Sequence, residues 1–320
     1  GEHYFMRAFA EATRMNGFTV KSHPRVDKAL LQMIGSGSVH RVYVSSPEAL
    51  NCSLLTRPSD HCKFYMQLPQ NWPKLSDLSE DQWATKFCGL PPRQIVVPFP
   101  DTRNNFIGYW PLHAEPPKDA HARGKMGLLL LAKRPYYRHI KQVISLLLDL
   151  NFSLYGTWEV KLDTRVQEMG RLSLDELAQK MQELAFVLGA GNLNSPSPLE
   201  ALANGVAFLN GNSGHMQHDF LDTLGPPYVY RVDLGRPHDV VDAARSAVEH
   251  RFASYVPWQM TREATVARVC RKVLNDVQPC LCAGAALAER KTKHSVCTRT
   301  PTKDFAIAAP FAMSPISMIR

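Results

Sequence analysis

The sequence predicts an α/β protein with two domains, each built on a parallel sheet that is covered by helices on both faces. Short apolar runs that are typical of strands alternate with helical segments along most of the chain. These runs are continuously apolar, which indicates strands buried on both faces. The 320 residues suffice for two domains of ordinary size, and the turn-rich stretch 104–124 is the best candidate for a linker between them.

The first domain is predicted from the alternation of helices and strands up to residue 99. Helices are expected at 3–15 and at 28–34, each followed by a glycine that stops it. Strands are expected at 18–22, 39–45, 63–67 and 95–99. We assign residues 1–118 to this domain. Because the chain opens directly on a helix, we expect the first strand of the domain to lie upstream of Gly1.

The second domain follows the same alternation more regularly. Strands are expected at 127–131, 152–155, 186–190, 206–209 and 228–233, and helices at 138–150, 173–184, 237–252 and 261–274. Ser173 followed by Glu176 is a capping-box pattern, which predicts where the second of these helices begins. We assign residues 119–278 to this domain and residues 279–320 to an irregular or disordered tail.

Charge and cysteine content narrow the possible partners. The net charge of +8 suits ligands that carry phosphate, but the basic residues are scattered and form no stripe with interleaved aromatic residues, which argues against nucleic acid. Seven cysteines are present without a CxxC pair, so no zinc site is expected. No apolar stretch reaches the roughly 20 residues that a membrane-spanning helix needs.

The most informative stretch is 186–210. An apolar run ends in Gly, Asn, Ser and Pro residues, a short helix opens near Pro198, and a second apolar run follows. A loop that leads into a helix start leaves backbone N–H groups available to an anionic ligand. Glu200 lies in the first turn, where it could accept hydrogen bonds from ribose hydroxyls. The alternative is an ordinary strand–helix corner with an acid favoured by the helix dipole.

Several separated motifs occur in a fixed order within residues 1–274. They are Phe99-Pro100-Asp101-Thr102, Gly170-Arg171-Leu172-Ser173, Pro198-Leu199-Glu200-Ala201-Leu202-Ala203-Asn204-Gly205, Val232-Asp233-Leu234 and Tyr255-Val256-Pro257. In sequence and in order they resemble glycosyltransferase family 18, whose animal members are β-1,6-N-acetylglucosaminyltransferases.

The resemblance implies a GT-B fold, in which two Rossmann-like domains with parallel sheets face a cleft. Residues 1–118 would form the acceptor domain and residues 119–278 the nucleotide-sugar donor domain. It also implies an inverting transfer of N-acetylglucosamine from UDP-GlcNAc to the 6-hydroxyl of an α-mannose in the N-glycan of a glycoprotein, without a metal or another cofactor. Members of the family lie on the luminal side of the Golgi membrane, and the type II anchor would precede this chain.

An inverting transfer needs a general base that deprotonates the acceptor hydroxyl. The family's base is a Glu in a Gly-Glu pair at the start of the first helix, and Gly1-Glu2 stands in that place. The resemblance therefore implies that Glu2 is the catalytic base. Without the resemblance, Glu2 would be interpreted as an ordinary acid in the first turn of a helix.

The resemblance assigns the remaining site residues to donor and acceptor. Lys133 would meet the diphosphate, Gly170 and Leu172 would hold the base through their main chain, and Ser197 and Leu199 would offer amides to phosphate. Glu200 would bind the ribose, and Asp101 and Asn105 would contact the acceptor sugar. The alternatives are a solvated lysine at a strand end, plain turns and a plain helix start.

Two departures from the family pattern bear on the donor. Residues 192–195 replace a glycine- and acid-bearing loop, and Gly211-Asn212 replaces a Pro-Lys that helps hold the diphosphate in animal members. A relative that uses another UDP-sugar or glycan acceptor, and a catalytically silent relative that binds glycans, therefore stay open as alternatives.

Overall fold

In the computed structural model of the chain, the described residues are 2–23, 28–36, 41–44, 64–67, 79, 82, 87–88, 90, 94–100, 105–111, 124–131, 137–157, 163–170, 172–190, 196–212, 219–274 and 304–308. The strands within them are β1 (Thr19–His23), β2 (Arg41–Val44), β3 (Phe64–Gln67), β4 (Ile95–Val97), β5 (Asn105–Phe106), β6 (Met126–Leu131), β7 (Ser153–Gly156), β8 (Gln167–Glu168), β9 (Phe186–Ala190), β10 (Ala207–Asn212), β11 (Val229–Asp233) and β12 (Asp304–Ala308).

The helices are α1 (Glu2–Met15), α2 (Lys28–Gly35), α3 (Tyr137–Asp149), α4 (Leu174–Met181), α5 (Ser197–Ala203), α6 (Asp219–Asp222), α7 (Pro237–Glu249) and α8 (Arg262–Val269). A 3₁₀ turn at Trp258–Met260 precedes α8, and a π-helical turn at Cys270–Leu274 extends it. From β6 to α7 strands and helices alternate as the sequence predicts, apart from the short strand β8, which directly follows β7.

The chain divides into two compact units. Unit 1 comprises Gly1–Trp110 and Trp258–Arg320, and unit 2 comprises Pro111–Pro257. The sheet of unit 1 has the strand order β1-β12-β2-β3-β4-β5, and every pair in it is parallel. The sheet of unit 2 has the order β11-β10-β9-β6-β7-β8 and is also fully parallel. The predicted α/β class, with two units that are each built on a fully parallel sheet, is confirmed.

The core of unit 1 is built by the apolar face of α1. Phe5, Ala8, Phe9 and Ala12 are buried and recur at helical spacing. The Phe9 ring stacks on the Tyr43 ring of β2, with the ring centroids 3.7 Å apart. Burial of such side chains supplies most of the stability of a helix in a folded protein.

The core of unit 2 lies between its sheet and helices α3 and α7. The buried face of α3 consists of Ile140, Val143, Ile144 and Leu147, which are spaced as the sequence predicts for an amphipathic helix. The Phe186 ring of β9 packs edge-on against Phe152, with the centroids 5.8 Å apart.

Two parts of the predicted domain division differ from the structure. The boundary falls at Trp110 rather than at residue 118, and residues 258–274, assigned to the second domain, lie in unit 1. Residues 304–308, assigned to the irregular tail, form β12 between β1 and β2. The physical reason is the same for both. Contacts with residues far away in the sequence, which no local pattern encodes, place these segments.

Candidate functional site

The candidate site lies at the carboxyl edge of the sheet of unit 2. The chain moves from β6 to β7 and β8 on one side and then returns to β9 on the other side, so the strand order reverses between β6 and β9. Leu131 of β6 and Ala190 of β9 are register partners, so these strands end side by side. Ligands of open α/β sheets bind at such a reversal, beyond the carboxyl ends of the strands.

The segment predicted to hold the nucleotide base connects β8 to α4. Gly170 has φ +65°, a left-handed conformation that suits glycine, and a Cβ built on it would meet nothing within 4 Å. Leu172 is half-buried, and Ser173 caps α4. The open space above Gly170 is consistent with the close approach of a ligand to its backbone.

The predicted capping box of α4 is confirmed. The Glu176 backbone N–H donates to Ser173 Oγ at 3.2 Å, and the Ser173 backbone N–H donates to Glu176 Oε2 at 2.7 Å. Hydrogen bonds from the Ser173 backbone and, to a lesser extent, from its side chain hold the pKa of the Glu176 carboxyl below its usual 4.5, because they stabilise the charged form. The box therefore fixes Ser173, the residue that directly follows Leu172.

Glu168 is an acid at this edge that sequence reasoning missed. A Cβ on Gly156 would lie 3.0 Å from Glu168 Oε2, so the carboxylate packs directly on the Gly156 backbone at the end of β7. The Met169 backbone N–H donates to the Gly156 carbonyl at 2.8 Å, which joins the same two chain segments. The signal in the sequence is slight, because β8 is only two residues long.

Helix α5 begins beyond β9, as the sequence predicts. Its first turn contains Ser197 and Leu199, whose backbone N–H groups point toward the helix start, whereas Pro198 has none. The Leu199 side chain is fully buried, and Glu200 is 4% exposed. The structure thus confirms that Glu200 is an acid in the first turn. Glu200 is, however, more buried than a solvated acid at a helix start usually is.

The carboxyl end of β10 explains one departure from the family pattern. A Cβ on Gly211 would lie 2.5 Å from the Gly189 carbonyl oxygen and 3.0 Å from both Leu234 methyl groups. Gly211 also pairs with β9 and β11 as part of a central strand, where a proline would remove a ladder hydrogen bond. Asn210 is held by its Nδ2, which donates to Asp222 Oδ1 at 2.8 Å.

For the other predicted site residues, the structure describes at most the backbone. Glu2 begins α1 and Asn105 begins β5, but the side chains of both lie outside the described part of the structure. Asp101 and Lys133 lie outside the described residues altogether.

An aromatic cluster surrounds the first turns of α1. The Tyr109 ring lies 4.6 Å from the Phe5 ring and 5.6 Å from the Tyr4 ring, measured between centroids, and Phe99 packs against both Phe5 and Tyr109. The Tyr4 hydroxyl donates to the Trp110 carbonyl at 3.4 Å. The Tyr109 hydroxyl is buried and makes no hydrogen bond with the described residues, and burial raises the pKa of this hydroxyl well above 10.

Three structural findings concern cysteines, metals and membranes. Cys88 and Cys270, both in unit 1, are disulfide-bonded. Within the described ranges, no group of three or more His, Cys, Asp or Glu side chains is arranged to hold a metal ion. None of the helices described in the structure has both the length and the apolar character that a membrane span requires.

Comparison with solved structures gives only partial similarities. The chain is similar to Staphylococcus aureus TarM, solved in complex with Fondaparinux, alpha-GlcNAc-glycerol and UDP, with a TM-score of 0.47 and 8% identity over 81% of this chain and 57% of that chain. It is also similar to a Thermobaculum terrenum O-GlcNAc transferase, with a TM-score of 0.35 and 11% identity over 89% of this chain and 72% of that chain. No family model matches the chain.

Comparison with curated proteins is more informative. The chain is 25% identical over 211 residues to the human alpha-1,6-mannosylglycoprotein 6-beta-N-acetylglucosaminyltransferase A, which is 56% of this chain and 28% of that protein. The Caenorhabditis elegans alpha-1,6-mannosylglycoprotein 6-beta-N-acetylglucosaminyltransferase is 25% identical over 126 residues, which is 33% of this chain and 19% of that protein. The chain thus matches 28% of the length of the human protein and 19% of the length of the nematode protein. The resemblance that the motifs indicate is confirmed: at 25% identity, the chain is similar to α-1,6-mannosylglycoprotein 6-β-N-acetylglucosaminyltransferases.

Proposed function

We propose that the chain is the catalytic part of an inverting glycosyltransferase that moves N-acetylglucosamine from UDP-GlcNAc to the 6-hydroxyl of an α-mannose in N-glycans. The observation that supports this proposal is the similarity to proteins of that name in a mammal and in a nematode. The parallel sheet of unit 2, whose strand order reverses between β6 and β9, is consistent with a nucleotide-sugar site at that point.

In this proposal unit 2 binds the donor. Gly170 and Leu172 hold the uracil through their main chain, and Glu200 accepts hydrogen bonds from the ribose hydroxyls. Lys133 and the amides of Ser197 and Leu199 neutralise charge on the diphosphate, which grows as UDP leaves. No metal takes part. Transfer should therefore survive a chelator, and activity that is lost with a chelator and restored by Mn²⁺ would contradict the proposal.

Unit 1 supplies the base and binds the acceptor. Glu2 takes the proton from the mannose 6-hydroxyl while the hydroxyl oxygen attacks the anomeric carbon of N-acetylglucosamine. The bond between that carbon and UDP breaks on the opposite face of the sugar. Asp101 and Asn105 contact the acceptor sugar. The disulfide-bonded Cys88 and Cys270 are consistent with an oxidising compartment, and we propose the luminal side of the Golgi membrane as the location.

The test is a transfer assay with a mannose-terminated N-glycan and UDP-GlcNAc, read by mass spectrometry as the gain of one N-acetylhexosamine. Glu2→Gln should abolish transfer and leave UDP binding intact, because only the proton acceptor is lost. Glu263→Gln is the matched control, since this acid is exposed at the start of α8. Full transfer by the Glu2 variant would overturn the assignment of the base.

The ribose contact has a separate test. If Glu200 binds the ribose, deoxygenation of UDP at the 2′ or the 3′ position should weaken binding to the native chain but not to Glu200→Leu, whose side chain accepts no hydrogen bond. Equal losses in both proteins would contradict this role for Glu200. The comparison needs no catalytic turnover, so it tests the donor site even where transfer fails.

A second candidate function is transfer from another UDP-sugar. The observation that favours it is Gly211, where close packing on Gly189 leaves no room for the residue that animal members carry. A panel of UDP-sugars in the same assay separates the two candidates. Retained glycan binding without transfer from any donor would instead favour a catalytically silent relative.

A further inference from the structure

Two chain connections join the units. The Arg268 side chain donates hydrogen bonds to backbone carbonyls of unit 1 close to both connections. The chain leaves unit 1 after Trp110 and returns to it at Trp258. Arg268 Nε donates to the Ile107 carbonyl at 2.7 Å, shortly before the exit. Arg268 Nη2 donates to the Gln259 carbonyl, directly after the return. The guanidinium of one residue of α8 therefore forms hydrogen bonds with the unit 1 segments next to both connections.

The surroundings of Arg268 fit this side chain closely. It is 5% exposed, its guanidinium lies over the Phe106 ring at 4.2 Å from the centroid, and it also donates to Thr265 Oγ1 at 3.3 Å. Gly108 has φ +86°, and a Cβ on it would stand 2.6 Å from Arg268 Nη2. Only arginine offers a planar fork of donors that can reach several carbonyls while its face covers an aromatic ring.

Helix α8, which contains Arg268, in turn packs against α1 through a hydrogen bond and an ion pair. Asn16 Nδ2 donates to the Val266 carbonyl at 3.1 Å, and Arg262 forms an ion pair with Glu11 at 2.7 Å. Lys272 Nζ donates to the Phe106 carbonyl at 3.1 Å, which adds a second bond to the exit segment. Both connections are thus held against the helix that begins at Glu2.

We propose that Arg268 is a positioning residue for transfer between the units. It fixes where both connections leave unit 1, and therefore restricts how unit 2 can move relative to α1. Its consequence for catalysis rests on the proposed function, in which the base belongs to one unit and the donor to the other. Arg268 itself touches neither substrate, but a misplacement of about 1 Å between reacting groups can lower the rate about 100-fold.

The direct test measures the distance between the units in the full chain. Spin labels are attached through unnatural amino acids at the exposed positions Arg7 and Asp242, so that the cysteines stay untouched. Arg268→Met should broaden the distance distribution, and Gly108→Ala should broaden it as well, because it displaces the same guanidinium. Arg14→Met, an exposed arginine of α1, is the matched control and should keep the native width.

Arg268→Lys is the second variant in case the Met variant fails to fold. It keeps the charge but loses the fork of donors, so its distribution should be intermediate in width. UDP binding reports that unit 2 is intact in each variant, and its Kd should stay within about twofold of the native value because no donor contact changes. Folded variants at Arg268 and Gly108 with the native distance distribution would overturn the proposal.

The kinetic test separates this role from general stability. The Arg268 variants should lower kcat at least about tenfold below the Tm of each protein, with little change in the KM for the donor. A native kcat together with a broadened distribution would overturn the positioning role. If the native chain transfers no sugar, the proposed function fails, while the distance measurement still decides whether Arg268 restrains the units.

Discussion

Gly108 lies so close to Arg268 that a Cβ on the glycine would stand 2.6 Å from the guanidinium. The glycine also has φ +86°, which residues with a side chain rarely adopt. Two independent constraints thus act at this position: the backbone conformation and the space that the buried arginine occupies. They can be separated experimentally, because another glycine of the chain carries only the first constraint.

Gly108→Ala should lower the free energy of unfolding of unit 1 by about 2–4 kcal/mol, from left-handed strain together with overpacking. Gly225→Ala is the matched control, since Gly225 has φ +60° with nothing within 4 Å of a built Cβ. The control should lose only about 1–2 kcal/mol, from strain alone. Chemical denaturation followed by amide hydrogen exchange in each unit measures both. Equal losses would show that Arg268 can move away at little cost.

Tyr109→Phe should stabilise unit 1, because the Tyr109 hydroxyl is buried without a hydrogen-bond partner in the described part of the chain. Removing an unsatisfied buried hydroxyl should raise the free energy of unfolding by about 1 kcal/mol. Tyr4→Phe in the same cluster removes a hydroxyl that donates to the Trp110 carbonyl, and should lower stability by about 0.5–1.5 kcal/mol. Opposite signs in urea denaturation are expected. A loss in Tyr109→Phe would indicate a partner for that hydroxyl, such as a buried water.

Local pattern was enough to predict most elements of the fold. The spacing of Ile140, Val143, Ile144 and Leu147 encodes the buried face of α3, and Ser173 with Glu176 encodes the start of α4. Each of these signals lies within a few residues of the element that it predicts. The same holds for the candidate site, where Gly170, Leu172 and Glu200 lie at turns and helix starts that are visible in the sequence.

Long-range contacts explain what local pattern did not predict. The periodicity of α8 indicates a helix, but its place in unit 1 depends on Arg268 and on Asn16, which is distant in sequence. Strand β12 is only five residues long and takes its register from β1 and β2. Glu168 was missed because its position over Gly156 depends on a crossover between two strands. Such contacts are set by topology and leave no periodic signal.

Gly211→Ala should destabilise unit 2 by about 1–3 kcal/mol, because its Cβ would collide with the Gly189 carbonyl and with Leu234. Gly124→Ala is the control, since a Cβ there would meet only Met126 at the ordinary distance of 3.6 Å. It should change stability by no more than about 0.5 kcal/mol. Thermal unfolding of the two variants measures the difference. Tolerance of alanine at 211 would mean that β10 can shift to admit a side chain.

The capping box of α4 should make stability depend on pH in the acid range. The pKa of Glu176 is lowered from 4.5 by hydrogen bonds from Ser173, so the folded state favours the carboxylate. For a lowered pKa, the contribution to stability is fully present above the unfolded value and is lost as the pH falls through the folded value. The native chain should therefore exceed Glu176→Gln in stability at neutral pH, and the difference should shrink below pH 4.5.

The titration of Glu176 is also expected to affect the proposed donor site, because the box fixes Ser173, which directly follows Leu172. UDP affinity of the native chain should fall as the pH drops below 4.5, whereas that of Glu176→Gln should start lower and vary less. Calorimetric titration with UDP at several pH values, with the unfolding midpoint measured in parallel, separates local loosening at Ser173 from global unfolding. A constant difference in UDP affinity between the two proteins at every pH would show that the ionised Glu176 does not support the proposed donor site.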